Sequence, residues 1–288
     1  MMGAAVRVDR TSRGRVRRPV RHLGTTVVAV VIVGILLFPL YWIVNVSLMN
    51  QIDILRYPPA FVPPQVSFDG YRAALAEAGT SVTSSLVYGV GTVVVTMSIA
   101  TPAAYALSRL PGRVTVAFLF LLLLAQMIPG IVMANSLYAL FVSMRWVNTY
   151  QAVILADATI AVPFAIIVMR AFMLGIPREL VEAAVIDGAG HWRVFRSVIV
   201  PLSRNAIVAA ALFAFLFGWG DFLFAVTLNA DAHKVPLTVG IYRFIGSYSV
   251  AWPSVMALAV IASIPAAVLL IVAQRFVASG VTAGAIKE

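Results

Sequence analysis

The sequence predicts an all-α, polytopic membrane protein, and three observations carry that prediction. Of its 288 residues, 61% are hydrophobic and 11% charged, against roughly 45–50% and 25% in a soluble domain. The apolar residues gather into runs longer than the ~18 that mark a bilayer-spanning helix. The basic residues concentrate beside alternate ends of these runs, as in chains oriented by a membrane. A soluble core cannot hide this much apolar surface, so lipid is the expected solvent.

The first element is a basic tail, residues 1–23, with Arg7, Arg10, Arg13, Arg15, Arg17, Arg18 and Arg21 directly before an apolar run. Such a tail anchors on anionic lipid, each cation near the surface contributing about 1 kcal/mol. The net charge of +10 is therefore read as membrane-directed, with no nucleic acid partner. The run Gly24 to Leu48 is far longer than the ~7–15 apolar residues of a signal peptide and has no convincing small-residue cleavage site, so it is expected to be an uncleaved first span. Six transmembrane helices are expected, at 24–48, 82–108, 114–140, 151–173, 204–228 and 254–276, within a transmembrane domain covering 24–280. With the N-terminus inside, 16 basic residues face the cytoplasm, while the other 5 (Arg56, Arg72, Arg145, Lys234 and Arg243) lie outside. Both termini are thus expected to be cytoplasmic, the last being a short tail, residues 281–288.

The loops differ in character. Residues 49–81, with Pro58, Pro59, Pro63 and Pro64, read as an extracytoplasmic segment too polar and proline-broken to span, and 229–253 as another. The cytoplasmic loop 174–203 reads as two helices. Pro177 stands at a first helical position, helix formers run from Arg178 to Ile186, Gly188 and Gly190 break the run, and an amphipathic stretch from Trp192 to Val200 is stopped by Pro201.

Within this loop stand Glu182-Ala183-Ala184, three residues, Gly188, nine residues, Val198, one residue, Val200 and Pro201. This spacing resembles the EAA motif, E-A-A-x3-G-x9-I-x-L-P, of permease subunits in binding-protein-dependent ATP-binding-cassette (ABC) importers. Ala183 and Ala184 are small enough to let a helix sink into a groove, Glu182 offers a charge to a partner's donors, Gly188 permits the positive φ of a sharp turn, and Asp187 braces that turn. Ala189 follows the turn, and Phe195 lies on an apolar face with Trp192, Val198 and Ile199. A helix that only anchored the loop at the interface would explain that apolar face, but not the small-residue face and the glycine together.

The resemblance extends along the chain and narrows to the sugar-type, MalG-like permeases. It is carried by Met127-Ile128-Pro129, Val147-Asn148-Thr149-Tyr150, Val162-Pro163-Phe164, Ile176-Pro177-Arg178-Glu179-Leu180, Trp219-Gly220-Asp221-Phe222-Leu223-Phe224 and the tail from Gly280 to Lys287. It departs at Asn205, where the family has proline, at Gly220-Asp221, where it has Asn-Glu, and at Glu288. The resemblance implies a type I ABC importer permease fold in a bacterial cell membrane, with the EAA loop as a coupling helix docked on the ATPase. It also implies that the tail residues Gly280, Thr282, Gly284 and Lys287 insert between ATPase subunits. The implied partners are a second, homologous MalF-like permease, an ATPase dimer that carries ATP and Mg, and an extracytoplasmic solute-binding protein.

Ionisable groups within spans are expensive, which singles out Asp157 and Asp221. Each lies six or seven residues from an outer span end, about 10 Å deep at ~1.5 Å per residue, so both can face one polar cavity. Two readings stand. With Gln126, Asn135 and Trp219 they line a translocation path, amides and carboxylates bonding sugar hydroxyls while the indole covers an apolar sugar face. Alternatively each carboxylate bonds a neighbouring helix and Trp219 belongs to an interfacial belt. Pro39, Pro102, Pro129, Pro163 and Pro265 fall inside the expected spans as candidate kinks.

Several functions lack their residues. There is no cysteine, and His22, His191 and His233 form no ligand-spaced pair, so no metal site is expected. Lys234 and Lys287 are the only lysines and neither stands in a phosphate-binding loop, so the chain is expected to be neither an enzyme nor a nucleotide binder. The rival function is a secondary carrier or channel that uses Asp157 and Asp221.

Overall fold

The computed structural model describes residues 21–245 and 250–285; most of the basic tail, and Lys287, lie outside them. The helices are α1 (Arg21–Ser47), α2 (Gln51–Ile54), α3 (Asp69–Arg109), α4 (Gly112–Gln126), α5 (Gly130–Ser143), α6 (Tyr150–Met173), α7 (Arg178–Ile186), α8 (His191–Val194), α9 (Val200–Leu202), α10 (Arg204–Gly220), α11 (Leu223–Leu228), α12 (Leu237–Gly240) and α13 (Trp252–Ala285). A π turn, Phe195–Ile199, joins α8 to α9. The described residues hold no named strand, as expected of an all-α membrane protein. Two units are distinguished, Met1–Trp42 and Ile43–Glu288. The first contains most of α1, which is apolar on every face, the pattern of a helix solvated by lipid.

In the second unit α3 packs along α6, α10 and α13. Its buried positions Gly70, Ala74, Ala78, Ser81, Ser85, Gly89, Thr92, Thr96, Ala100 and Ala104 step by three or four residues, so they form one seam. In lipid no hydrophobic force draws helices together, and small residues that let backbones approach supply dispersion contacts instead. The facing helices answer with Ala156, Ala161 and Ala165 on α6 and Ala206, Ala210 and Gly218 on α10. α3 and α10 approach closely at Gly218, where a Cβ would lie 2.7 Å from Thr92 Oγ1 and 2.8 Å from the Tyr88 carbonyl oxygen. Gly218→Ala is therefore expected to force α3 and α10 apart at a cost of about 1–3 kcal/mol, read as a lower melting temperature in detergent.

Four helices are individually long and apolar enough to span, and two bent pairs bring the number to as many as six if each pair counts as one span. Two expected spans, the third and the fifth, need correction, while the helix that holds the second begins at Asp69, ahead of the expected 82, and has 41 residues, about 62 Å at 1.5 Å each. Polar outer turns do not break a helix, and the last proline before it is Pro64. The third span is not continuous. It is α4 and α5 meeting at 91°, because Pro129, at the N-cap of α5, has no N–H to carry the ladder through. The fifth breaks at Asp221 and Phe222, between α10 and α11. Pro39, Pro102, Pro163 and Pro265 do lie inside helices. The last helix runs past the expected end at 276 through Gly280, Thr282 and Gly284 to Ala285.

Candidate functional site

The loop after α6 turns through Leu174 to Ile176, and α7 begins at Arg178 with Pro177 as its N-cap residue, one residue later than the sequence suggested. Glu179 stands in the first turn, where the helix dipole favours an acid. The helix ends in a complete left-handed cap. Gly188 has φ +83°, its N–H donates to the Val185 carbonyl at 3.0 Å, and the Ala189 N–H donates to the Ala184 carbonyl at 3.0 Å. These are the two bonds of a Schellman motif, which needs a residue tolerant of positive φ at this place. Asp187 contributes its backbone N–H to the Ala183 carbonyl at 3.0 Å.

The cap fixes which face of α7 is free. Val181, Ala184 and Ala189 pack against a core that includes Leu107, Met169, Met173, Val194 and Ile199. Glu182 and Ala183 are exposed, and beside them Val185 is 49% and Ile186 85% exposed. On the return, Phe195 lies between the rings of Tyr105 and Trp192, with centroids 5.7 Å and 5.3 Å away. Trp192 departs from the expected apolar face: it is 69% exposed. Pro201 does not stop the second helix, which continues to Leu202 and breaks at Ser203 with a bend of 79°. Proline is tolerated there because the π turn preceding it, with the Val200 N–H bonded to the Phe195 carbonyl, has already left the α ladder.

Asp157 and Asp221 line one cavity of about 360 Å³, with Ile160, Phe217, Gly220 and Phe222. Asp157 is 3% exposed, and Thr92 Oγ1 donates to its Oδ2 at 3.5 Å. The Asp221 carboxylate accepts from the backbone N–H groups of Phe224, at 3.1 Å, and Ala225, at 2.7 Å. It thereby caps α11 across the break, rather than bonding a neighbouring helix. Of the other predicted path residues, Gln126 ends α4 and Asn135 lies on α5, both exposed, and neither lines this cavity. Trp219 is buried, stacks on Phe215 and donates Nε1–H to the Ala262 carbonyl of α13 at 3.0 Å, so it does not line the cavity of the carboxylates. A larger cleft of about 600 Å³ between α3, α10 and α13 is lined by aliphatic and aromatic side chains such as Leu86, Val90 and Phe215, and suits no polar solute.

Sequence reading missed a polar network that fixes the segment after α11. Tyr88 OH donates to the Lys234 carbonyl at 2.8 Å and accepts from Asn229 Nδ2 at 2.8 Å. Ser85 Oγ accepts from the Leu237 N–H at 2.9 Å. Asn148, at φ +64°, accepts from the Ala230 N–H through Oδ1 at 2.7 Å. The signal was present in the Ser and Thr spacing of α3, but single polar residues in an apolar run carry little information without their partners. Tyr88→Phe is expected to leave the Asn229 amide and the Lys234 carbonyl with only their longer bond to each other, at 3.4 Å, costing about 0.5–1.5 kcal/mol and speeding proteolysis at Lys234.

The model of the family of binding-protein-dependent transport system inner membrane components matches residues 96–283. The chain is 34% identical over 264 residues to the trehalose transport system permease protein SugB of Mycobacterium tuberculosis, covering 89% of this chain and 94% of that one. It is 30% identical over 264 residues to the trehalose/maltose transport system permease protein MalG of Thermococcus litoralis, covering 90% and 94%. Among solved structures, a bacterial ABC transporter involved in the import of the acidic polysaccharide alginate contains a similar chain, with TM-score 0.72 and 23% identity over 88% of this chain and 95% of that one. At that identity the likeness concerns the fold. The matched range contains α7, Gly188, Asp157 and Asp221, and with the sequence relatives it settles the family: this chain is a member of the binding-protein-dependent transport system inner membrane components.

Proposed function

We propose that the chain is one permease half of an ABC importer for a carbohydrate, coupled through α7 to an ATPase subunit. The observation that carries this reading is the Schellman-capped α7, which holds Glu182, Ala183, Val185 and Ile186 outward on a surface that no other described residue covers. A helix whose end is locked by a cap transmits a push, whereas a frayed one absorbs it. The trehalose and trehalose/maltose relatives support a sugar as cargo. ATP and Mg belong to the partner ATPase dimer, and an extracytoplasmic binding protein delivers the solute. A second permease completes the cavity, and rigid-body rocking of the two exposes it to one side and then the other. Asp157 offers an acceptor to sugar hydroxyls, and Phe217 and Phe222 offer apolar faces. A carrier cycling cations through Asp157 and Asp221 is the weaker reading, because both Asp221 oxygens already hold backbone N–H groups.

The reading requires six crossings with both termini inside and α7 on the cytoplasmic side. Reporter fusions at Tyr57 and Ala232 are expected to report outside, and fusions at Gly112, Gly190 and the C-terminus inside. An outside signal at Gly190 ends the coupling hypothesis, since a loop there meets no cytoplasmic ATPase. Affinity purification in mild detergent should recover a second permease and an ATPase with this chain.

A further inference from the structure

We propose that the corner between α3 and α4 binds the phosphate of an anionic phospholipid, with Arg109 as its anchor. Arg109 is the last residue of α3. Its guanidinium lies 5.7 Å from the Tyr105 ring centroid, and Tyr105 continues through Phe195 to Trp192. Nε and Nη2 of Arg109 are buried and have no hydrogen-bond partner. Buried guanidinium donors are normally matched by a carboxylate, carbonyl or phosphate, and Nε with one Nη makes the fork that suits a phosphate oxygen pair.

The basic side chains of α4 and of the segment that carries Trp192 and Phe195 are without ion pairs. The ion pairs Arg72–Asp69, Lys234–Asp231 and Arg243–Glu77 all lie in segments 69–77 and 231–243. Among the described residues Arg109, Arg113, Arg193, Arg196 and Arg204 form no ion pair. Basic side chains without an ion-pair partner complement an anionic surface. Lipid fits better than a partner's carboxylate because apolar surface continues away from Arg109. Leu110 is 43% exposed and Val114 42%, and α4 then exposes Val116, Phe118 and Phe120, giving acyl chains a wall beside the headgroup. The exposed Trp192 has the amphipathic ring that settles at headgroup depth.

The test uses the whole transporter with its partner subunits in nanodiscs of dioleoylphosphatidylcholine containing dioleoylphosphatidylglycerol in both leaflets, so the result does not depend on which end faces inward. After delipidation, the retained ratio of the two lipids is measured by mass spectrometry. Wild type is expected to enrich phosphatidylglycerol about fivefold or more over bulk, the factor that one cation near an anionic surface contributes. Arg109→Gln should lower the ratio about fivefold relative to wild type, whatever the other basic residues retain, and Arg109→Lys should fall between, since an ammonium lacks the fork. The absence of enrichment in wild type overturns the proposal even if the glutamine variant fails to fold. So does enrichment that Arg109→Gln leaves undiminished. Loss of the ATPase from that variant with lipid retention unchanged overturns it too, and would identify the acceptor as a protein carboxylate.

Discussion

Gly188→Val is expected to leave the permease in the membrane at its normal level and to uncouple it from ATP hydrolysis. No atom lies within 4 Å of where a Cβ would stand, so the penalty comes from φ +83° alone. A left-handed residue with a Cβ costs about 1–2 kcal/mol, and a β-branched one is a genuine outlier there. The cheapest relief is to abandon the bonds from Gly188 and Ala189 to Val185 and Ala184, which frees the end of α7. Gly188→Asn is the control, because asparagine tolerates this region; it should retain coupling. Glu182→Lys attacks the same interface through charge. If the docked contact is desolvated, reversal costs about 2–5 kcal/mol of association, well over tenfold in affinity. Membrane level, ATPase recovered and substrate-stimulated hydrolysis distinguish these effects, and wild-type coupling in both variants would refute the mechanism.

Asp221→Ala is expected to abolish most transport while the ATPase still co-purifies. The alanine leaves the Phe224 and Ala225 N–H groups without their acceptor at the break between α10 and α11. Each unsatisfied buried group costs about 1–3 kcal/mol, so α11 should lose its first turn and the cavity wall formed by Phe222 and Leu223 should shift. Asp221→Asn keeps one acceptor oxygen and removes the charge, so its transport should lie between wild type and alanine. Normal uptake by the alanine variant would deprive Asp221 of a part in either the cap or the path.

These two sites show what was legible in the sequence. Gly188 was legible because a positive φ is a local demand that one residue type meets best, and the Glu-Ala-Ala spacing places its partners on the same short helix. The break at Asp221 was not read, although Asp three and four residues before apolar helical positions is a capping pattern. Within an uninterrupted apolar run the hydropathy signal outweighed it. The same averaging hid the bend at Pro129, since proline inside a membrane helix is common and only the neighbouring helices decide whether it kinks or ends one. Asp157 and Asp221 were placed at similar depth by counting residues, and they do share a cavity. Trp219 was misplaced because counting gives depth but not azimuth: the residue faces α13 and not the cavity. The small-residue seam of α3 had the right period, yet its role depends on Gly218 and the alanines of other helices, which the period of α3 alone does not reveal.

The central claim is that α7 seats on the ATPase, and site-specific cross-linking measures that contact. The chain has no cysteine, so Ala183→Cys introduces a single thiol on the exposed face of α7 without touching its cap. A benzophenone maleimide attached there, in the assembled and hydrolysing complex, should photo-cross-link this chain to the ATPase subunit. The same probe at Tyr57→Cys, a position 96% exposed and far from α7 in the chain, should give no ATPase adduct. An ATPase left unlabelled from position 183 in an intact, active complex would contradict the account.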